Sequence, residues 1–107
     1  MMWKISFYSN KVEEETLKFP TGILANFIHI AEMVEEFGPA LGNPYTAPMG
    51  NGLFEIRAKG KEGIGRSLYC MLKGKEIIIL NSFIKKTQKT PKKELDLAKK
   101  RMKEVKS

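Results

Sequence analysis

At 107 residues the chain can bury one hydrophobic core and is too short for two ordinary domains, so a single domain over 1–107 is expected. Lys and Arg number 19 against 12 Asp and Glu, a formal charge of +7 that is unevenly spread: three cations and six acids through Leu53, then sixteen cations and six acids from Phe54 onward. A lone cysteine excludes a disulfide framework, one His with one Cys excludes a zinc site, and no apolar run is long enough for a membrane span; together with a start that lacks a leader pattern, this predicts a cytoplasmic protein.

Trp3, Ile5 and Phe7 alternate with Lys4, Ser6 and Tyr8, the period of a strand with one buried face. Residues 11–18 (KVEEETLK) form a short helical pattern that Phe19-Pro20 interrupts, because the residue before proline is pushed out of the helical region. From Gly22 to Phe37 the residues Ile23, Phe27, Ile30, Val34 and Phe37, with Leu24, Ile28 and Ala31 beside them, fall at helical spacing; Thr21 is the expected N-cap and Gly38-Pro39 the stop. His29 sits inside this apolar pattern, which points to a structural role. Residues 39–52 hold three Pro and three Gly and read as a long loop.

Leu53–Lys59 alternates again, with Phe54, Ile56 and Ala58 on one face and Glu55, Arg57 and Lys59 on the other. After a glycine-rich turn, Gly65–Leu72 and Glu76–Phe83 read as an antiparallel hairpin joined at Lys73-Gly74-Lys75. The unbroken run Ile77–Leu80 predicts a strand covered on both faces. Thr90-Pro91 opens a last helix, with Thr90 as its cap, whose Leu95, Ala98, Met102 and Val105 share one face while lysines cover the rest. The predicted class is α+β: an antiparallel-rich sheet of about four strands, one or more N-terminal helices packed on it, and a C-terminal helix.

A basic half of this kind favours nucleic acid, an anionic membrane surface or an acidic protein, without choosing among them. Gly60, Gly63 and Gly65 lack the Gly-Lys-Ser/Thr ending of a phosphate loop, so no nucleotide cofactor is expected. A set of cations on rigid strands can still do chemistry on RNA, whose 2′-hydroxyl is its own nucleophile, by aligning it and stabilising the extra negative charge. Arg57 and Arg66 offer bidentate donors, Lys85 and Lys86 lower each other's pKa by proximity, and Tyr69 is a further proton-transfer or base-stacking candidate.

The segments Leu53-Phe54-Glu55-Ile56-Arg57, Arg66 to Tyr69, Phe83 to Pro91, and Ala98 with Arg101 occur in that order. In this order they resemble the phage-derived Gp49-like, HigB-type branch of the RelE/ParE toxin superfamily. The resemblance implies a small RelE-like fold and the toxin of a type II toxin–antitoxin system. Such a toxin is an endoribonuclease that cuts mRNA, typically on the translating ribosome, without metal or cofactor. It also implies a HigA-like helix-turn-helix antitoxin as partner. Carried over by position, Arg57, Arg66, Lys85, Lys86 and Tyr69 are the expected catalytic residues, and Lys59, Lys61 and Lys89 the expected RNA contacts. Many relatives have His shortly before the Phe-x-Lys-Lys segment, where this chain has Asn81, so the acid–base work shifts to Lys and Tyr. A gyrase-poisoning toxin of the same fold and a non-catalytic module binding RNA or protein are the alternative readings.

Overall fold

The computed structural model describes residues 2–85 and 89–107. The alternating segments fold as strands β1 (Lys4–Phe7), β2 (Thr46–Gly50), β3 (Leu53–Gly60), β4 (Gly63–Leu72) and β5 (Glu76–Lys85). They form one sheet in the order β1-β5-β4-β3-β2, with β1 parallel to β5 and every other pair antiparallel. The sheet therefore has five strands where about four were expected. The additional one is β2, inside the segment read as a loop, preceded by a 3-10 turn at Gly38–Ala40. Pro48 is tolerated there because β2 is an edge strand.

Helices α1 (Asn10–Leu17) and α2 (Thr21–Phe37) cover one face of the sheet, and α3 (Lys92–Lys106) covers the other. On the two-helix side Ile23, Phe27, Ile30 and Val34 meet Ile56, Ala58, Ile77 and Ile79; on the α3 side Ala98, with Leu95, Met102 and Val105, meets Leu53, Leu68, Ile78 and Leu80. The run Ile77–Leu80 is thus buried on both faces, as its composition predicts, and each such side chain contributes about 1.5–3 kcal/mol by leaving water. The outer side of α2 departs from the apolar reading: Ile28 and Phe37 are exposed, and so is His29.

The helix starts differ from expectation. Ser9 caps α1, its hydroxyl accepting from the Val12 amide at 3.2 Å. Thr21 is already helical, α2 has Pro20 at its N-cap, and no side chain from the helix itself accepts its free amides. The Glu62 carboxylate, reaching over from the turn between β3 and β4, accepts from the Gly22 amide at 3.0 Å instead. That backbone hydrogen bond holds the Glu62 carboxyl below its ordinary value of 4.5. The stabilisation is therefore complete above pH 4.5 and is lost as pH falls through the lower folded-state value. Glu62→Gln is expected to lower Tm at neutral pH and to narrow its gap to the native chain as the pH drops, in melts followed by circular dichroism.

Gly65 explains how α2 comes so close to β4. A Cβ there would lie 2.8 Å from Ile23 Cγ2 and 3.0 Å from Phe19 Cζ, inside van der Waals contact. Gly65→Ala is expected to cost about 1–3 kcal/mol by overpacking, read as a lower urea midpoint at unchanged m-value. At the other end of α2, Gly38 adopts φ 56° as the C-cap, directly beneath the Trp3 indole.

One irregularity sets the orientation of the functional half of β5. Tyr69 pairs with Ile79 and Leu68 with Asn81, so Leu80 is an extra residue in a β-bulge. With strict alternation Asn81, Phe83 and Lys85 would follow Ile79 onto the two-helix face. The bulge places them with Ile78 on the α3 face, where they pair with Leu68, Arg66 and Ile64. The Leu80 carbonyl is not left bare: Arg101 Nη1 of α3 donates to it at 2.7 Å.

Candidate active site on the α3 face of the sheet

Three rows of residues cross β3, β4 and β5 on this face. Lys59 pairs with Ile64 and Ile64 with Lys85; Arg57 pairs with Arg66 and Arg66 with Phe83; Glu55 pairs with Leu68 and Leu68 with Asn81. The first two rows bound a cavity of about 330 Å³ lined by Arg57, Lys59, Ile64, Arg66 and Lys85. Four of its five lining side chains are cations, and Ile64 is the one apolar surface.

Like charges directly opposite on neighbouring strands repel, so Arg57 opposite Arg66 requires compensation. Glu55 supplies it. Its carboxylate is fully buried and accepts from Arg57 Nε at 2.7 Å and from Arg66 Nη1 at 2.8 Å. Arg66 Nη1 also donates to Thr90 Oγ1 at 3.0 Å. Thr90 therefore does not cap α3, whose N-cap is Pro91 without a side-chain hydrogen bond. Arg66 is only 7% exposed, and its Nε has no hydrogen-bond partner among the described residues. A buried donor with no acceptor is costly, and here it belongs to a residue that lines a cation-rich cavity.

Lys85 is the lysine of the cavity whose ammonium is shifted toward losing its proton. Partial burial pushes its ammonium pKa down, the charges of Arg66, Arg57 and Lys59 push it the same way, and Glu55 opposes them. Tyr69 lies elsewhere. It is 2% exposed on the two-helix face, stacked on Phe54 with ring centroids 5.6 Å apart, and burial raises its pKa against a hydrogen bond with Thr46. The structure thus brings Arg57, Lys59, Arg66 and Lys85 together and separates Tyr69 from them. Lys61 is exposed in the turn after β3, and Lys89 is exposed ahead of α3; neither lines the cavity. Lys86, the remaining expected site residue, lies outside the described residues.

Asn81, at the position where a histidine was considered, is 2% exposed beneath the start of α3. Its Nδ2 donates to the backbone carbonyl of Glu94 at 3.2 Å and to Glu94 Oε1 at 3.0 Å. It serves helix docking. Glu55 is the residue to which the sequence reading gave no role beyond its place on the polar side of an alternating strand. It is two residues from Arg57 on the same face, and the strand pairing sets it in the row next to both arginines.

Among curated proteins no match was found. Among solved structures the chain is similar to archaeal RelE in the crystal structure of the RelE–RelB complex from Pyrococcus horikoshii OT3, with a TM-score of 0.56 and 19% identity over 78% of this chain and 96% of that one. At that identity the likeness shows the fold. The family model described as phage derived protein Gp49-like matches residues 14–103, a span that takes in the second half of α1, the whole of α2 and of β2 to β5, and most of α3. The chain therefore belongs to the phage-derived Gp49-like family and has the RelE-like toxin fold.

Proposed function

We propose that this chain is the toxin of a type II toxin–antitoxin pair and that it cleaves mRNA at the cavity between β3, β4 and β5. The observation that carries the reading is the Arg66 guanidinium, buried, with its Nε unpartnered, beside three further cations. A phosphodiester fits this environment in size and charge, and a bidentate guanidinium contact would satisfy the orphaned donor.

The reaction needs no metal. The 2′-oxygen of one nucleotide attacks the adjacent phosphorus, a P–O2′ bond forms and the P–O5′ bond breaks. The products are a 2′,3′-cyclic phosphate and a 5′-hydroxyl. One proton leaves the 2′-hydroxyl and one arrives on the 5′-oxygen. Arg57 and Arg66 stabilise the negative charge that builds on the non-bridging oxygens. Lys85, with its lowered pKa, is the proton-transfer group the cavity offers. Lys59 at the rim holds a neighbouring phosphate. The lysines exposed along α3, among them Lys93, Lys99, Lys100 and Lys103, extend the positive field and suit docking on ribosomal RNA. The antitoxin is a HigA-like helix-turn-helix protein encoded beside the toxin, by analogy with the RelE–RelB pairing of the structural relative.

The test is induction of the chain in a bacterial host with sequencing of mRNA 5′ ends. Growth arrest with new 5′-hydroxyl ends in messages, relieved by co-expression of a neighbouring helix-turn-helix protein, is expected. Intact mRNA with trapped, cleaved gyrase–DNA complexes would overturn the reading in favour of a gyrase poison. Intact mRNA and DNA would leave a binding module.

A further inference from the structure

We infer that Glu55 is a positioning residue of this site: its buried carboxylate holds two facing guanidiniums in fixed orientations and turns their remaining donor edges toward one phosphate. The inference rests on the reading of the cavity as a phosphodiester site, and it is drawn from which donor each arginine commits. Arg57 gives its Nε to Glu55, which leaves its two terminal nitrogens; of these Nη1 has only a long contact, 3.4 Å, to Asn43 Oδ1. Arg66 gives its Nη1 to Glu55 and Thr90, which leaves Nη2 and the buried Nε uncommitted among the described residues, the two nitrogens of the side-on edge of a guanidinium. One carboxylate thereby selects an end-on edge from one arginine and a side-on edge from its neighbour. Without it the two guanidiniums, directly opposite in the ladder, would repel each other outward into solvent.

Stability alone is a poor reason for such an arrangement. A buried carboxylate with two guanidiniums carries a large desolvation cost, and well-packed apolar residues commonly serve a core as well or better. Apolar residues surround it on this face, with Leu53, Leu68 and Leu80 fully buried nearby. The Glu55 charge also acts on Lys85, opposing Arg66, Arg57 and Lys59 and so keeping the ammonium from losing its proton too readily.

The test uses the full chain with Glu55→Gln and Glu55→Asp. The chain has three arginines, so its Nε–Hε NMR signals are few, and Arg101, which lies on α3 outside the cavity, is the internal control. Inorganic phosphate titrated into the native chain is expected to shift the Arg57 and Arg66 signals saturably and to leave Arg101 in place. In Glu55→Gln the affinity for phosphate is expected to fall about tenfold or more, although removal of a negative charge would, by Coulomb attraction alone, raise it. Glu55→Asp keeps the charge with a shorter reach and is expected to fall between the two. Phosphate binding in Glu55→Gln as tight as native, or tighter, would overturn the inference. Should Glu55→Gln fail to fold, Glu55→Asp decides: native affinity sinks the idea, and a clear loss upholds it.

On RNA, Glu55→Gln is expected to lower kcat about 10²-fold, the cost of misplacing a catalytic group by about an ångström. The pH-rate limb governed by Lys85 is expected to move to lower pH in Glu55→Gln and to stay at the native position in Glu55→Asp, because only the former loses the charge. Absence of RNA cleavage by the native chain would defeat the functional reading alone, since the phosphate titration reports on Glu55 independently.

Discussion

Arg66→Ala is expected to abolish growth arrest on induction and to reduce mRNA cleavage by about 10²–10³-fold, the usual consequence of removing one preorganised donor from a developing oxyanion. Arg66 lines the cavity while its Nη1 is committed to Glu55 and Thr90, so the truncation removes a cation from the cavity wall and a structural contact together. Glu55 keeps Arg57 at 2.7 Å, which places the stability cost at about 2–3 kcal/mol, below that of a fully abandoned buried charge. The functional loss must be separated from unfolding, and Arg66→Lys does so. Lysine retains the charge and most of the length but cannot offer two parallel N–H donors, so it is expected to fold and to lose at least about tenfold in cleavage. Primer extension on a defined message, with circular dichroism on the same preparations, reads both. Native cleavage by a folded Arg66→Ala protein would remove the cavity from consideration.

The strands that build the site were legible because Leu53–Lys59 alternates, Ile77–Leu80 is uniformly apolar, and Lys73-Gly74-Lys75 marks the turn that pairs Gly65–Leu72 with it. The edge strand β2 was not, because Pro48 and Gly50 broke the pattern, and the residues 39–52 were taken together as a loop. The signal was in the next two positions: Asn51 and Gly52, with φ 55° and 85°, are the residue types a two-residue hairpin turn demands. A hairpin turn before a clear strand implies another strand in front of it.

Within the site, residue spacing decides what could have been known. Arg57 and Lys59 are two apart and must share a face. Arg66 and Tyr69 are three apart in one strand and must point to opposite faces, so alternation alone argued against Tyr69 as a partner of the cations. The motif grouped residues that the backbone divides. Lys85 is the reverse case. The apolar run Ile77–Leu80 contains no alternation from which to detect a bulge, yet the bulge at Leu80 is what brings Lys85 to the face of Arg57 and Arg66. Glu55 was hidden for a different reason: burial of a carboxylate depends on two arginines meeting across a strand pair, a tertiary fact with no local signature.

Arg101→Met provides the contrasting arginine, with a large effect on stability and a small one on chemistry. Its Nη1 donates to the carbonyl of the fully buried Leu80 at 2.7 Å, and its guanidinium lies 4.8 Å from the centre of the Tyr8 ring, whose hydroxyl donates to Glu104 at 2.6 Å. Methionine preserves the aliphatic packing and removes the donor. Leaving the bulge carbonyl unsatisfied costs about 1–3 kcal/mol, and loss of the cation–π contact about 0.5–1 more. For a domain of this size that corresponds to a fall in Tm of about 10 °C or more. Cleavage by the folded fraction is expected to stay within about threefold of native, because Arg101 does not line the cavity and the pairs flanking the bulge, Tyr69 with Ile79 and Leu68 with Asn81, still hold the register of β5. Arg66 and Arg101 both fall in the matched motifs and look alike in sequence. One lines a cation-rich cavity with a donor left unfilled, the other donates to the carbonyl of the bulge residue, and this difference in what the guanidinium meets assigns one to chemistry and the other to the attachment of α3. A Tm unchanged by Arg101→Met, with cleavage lost, would reverse that assignment.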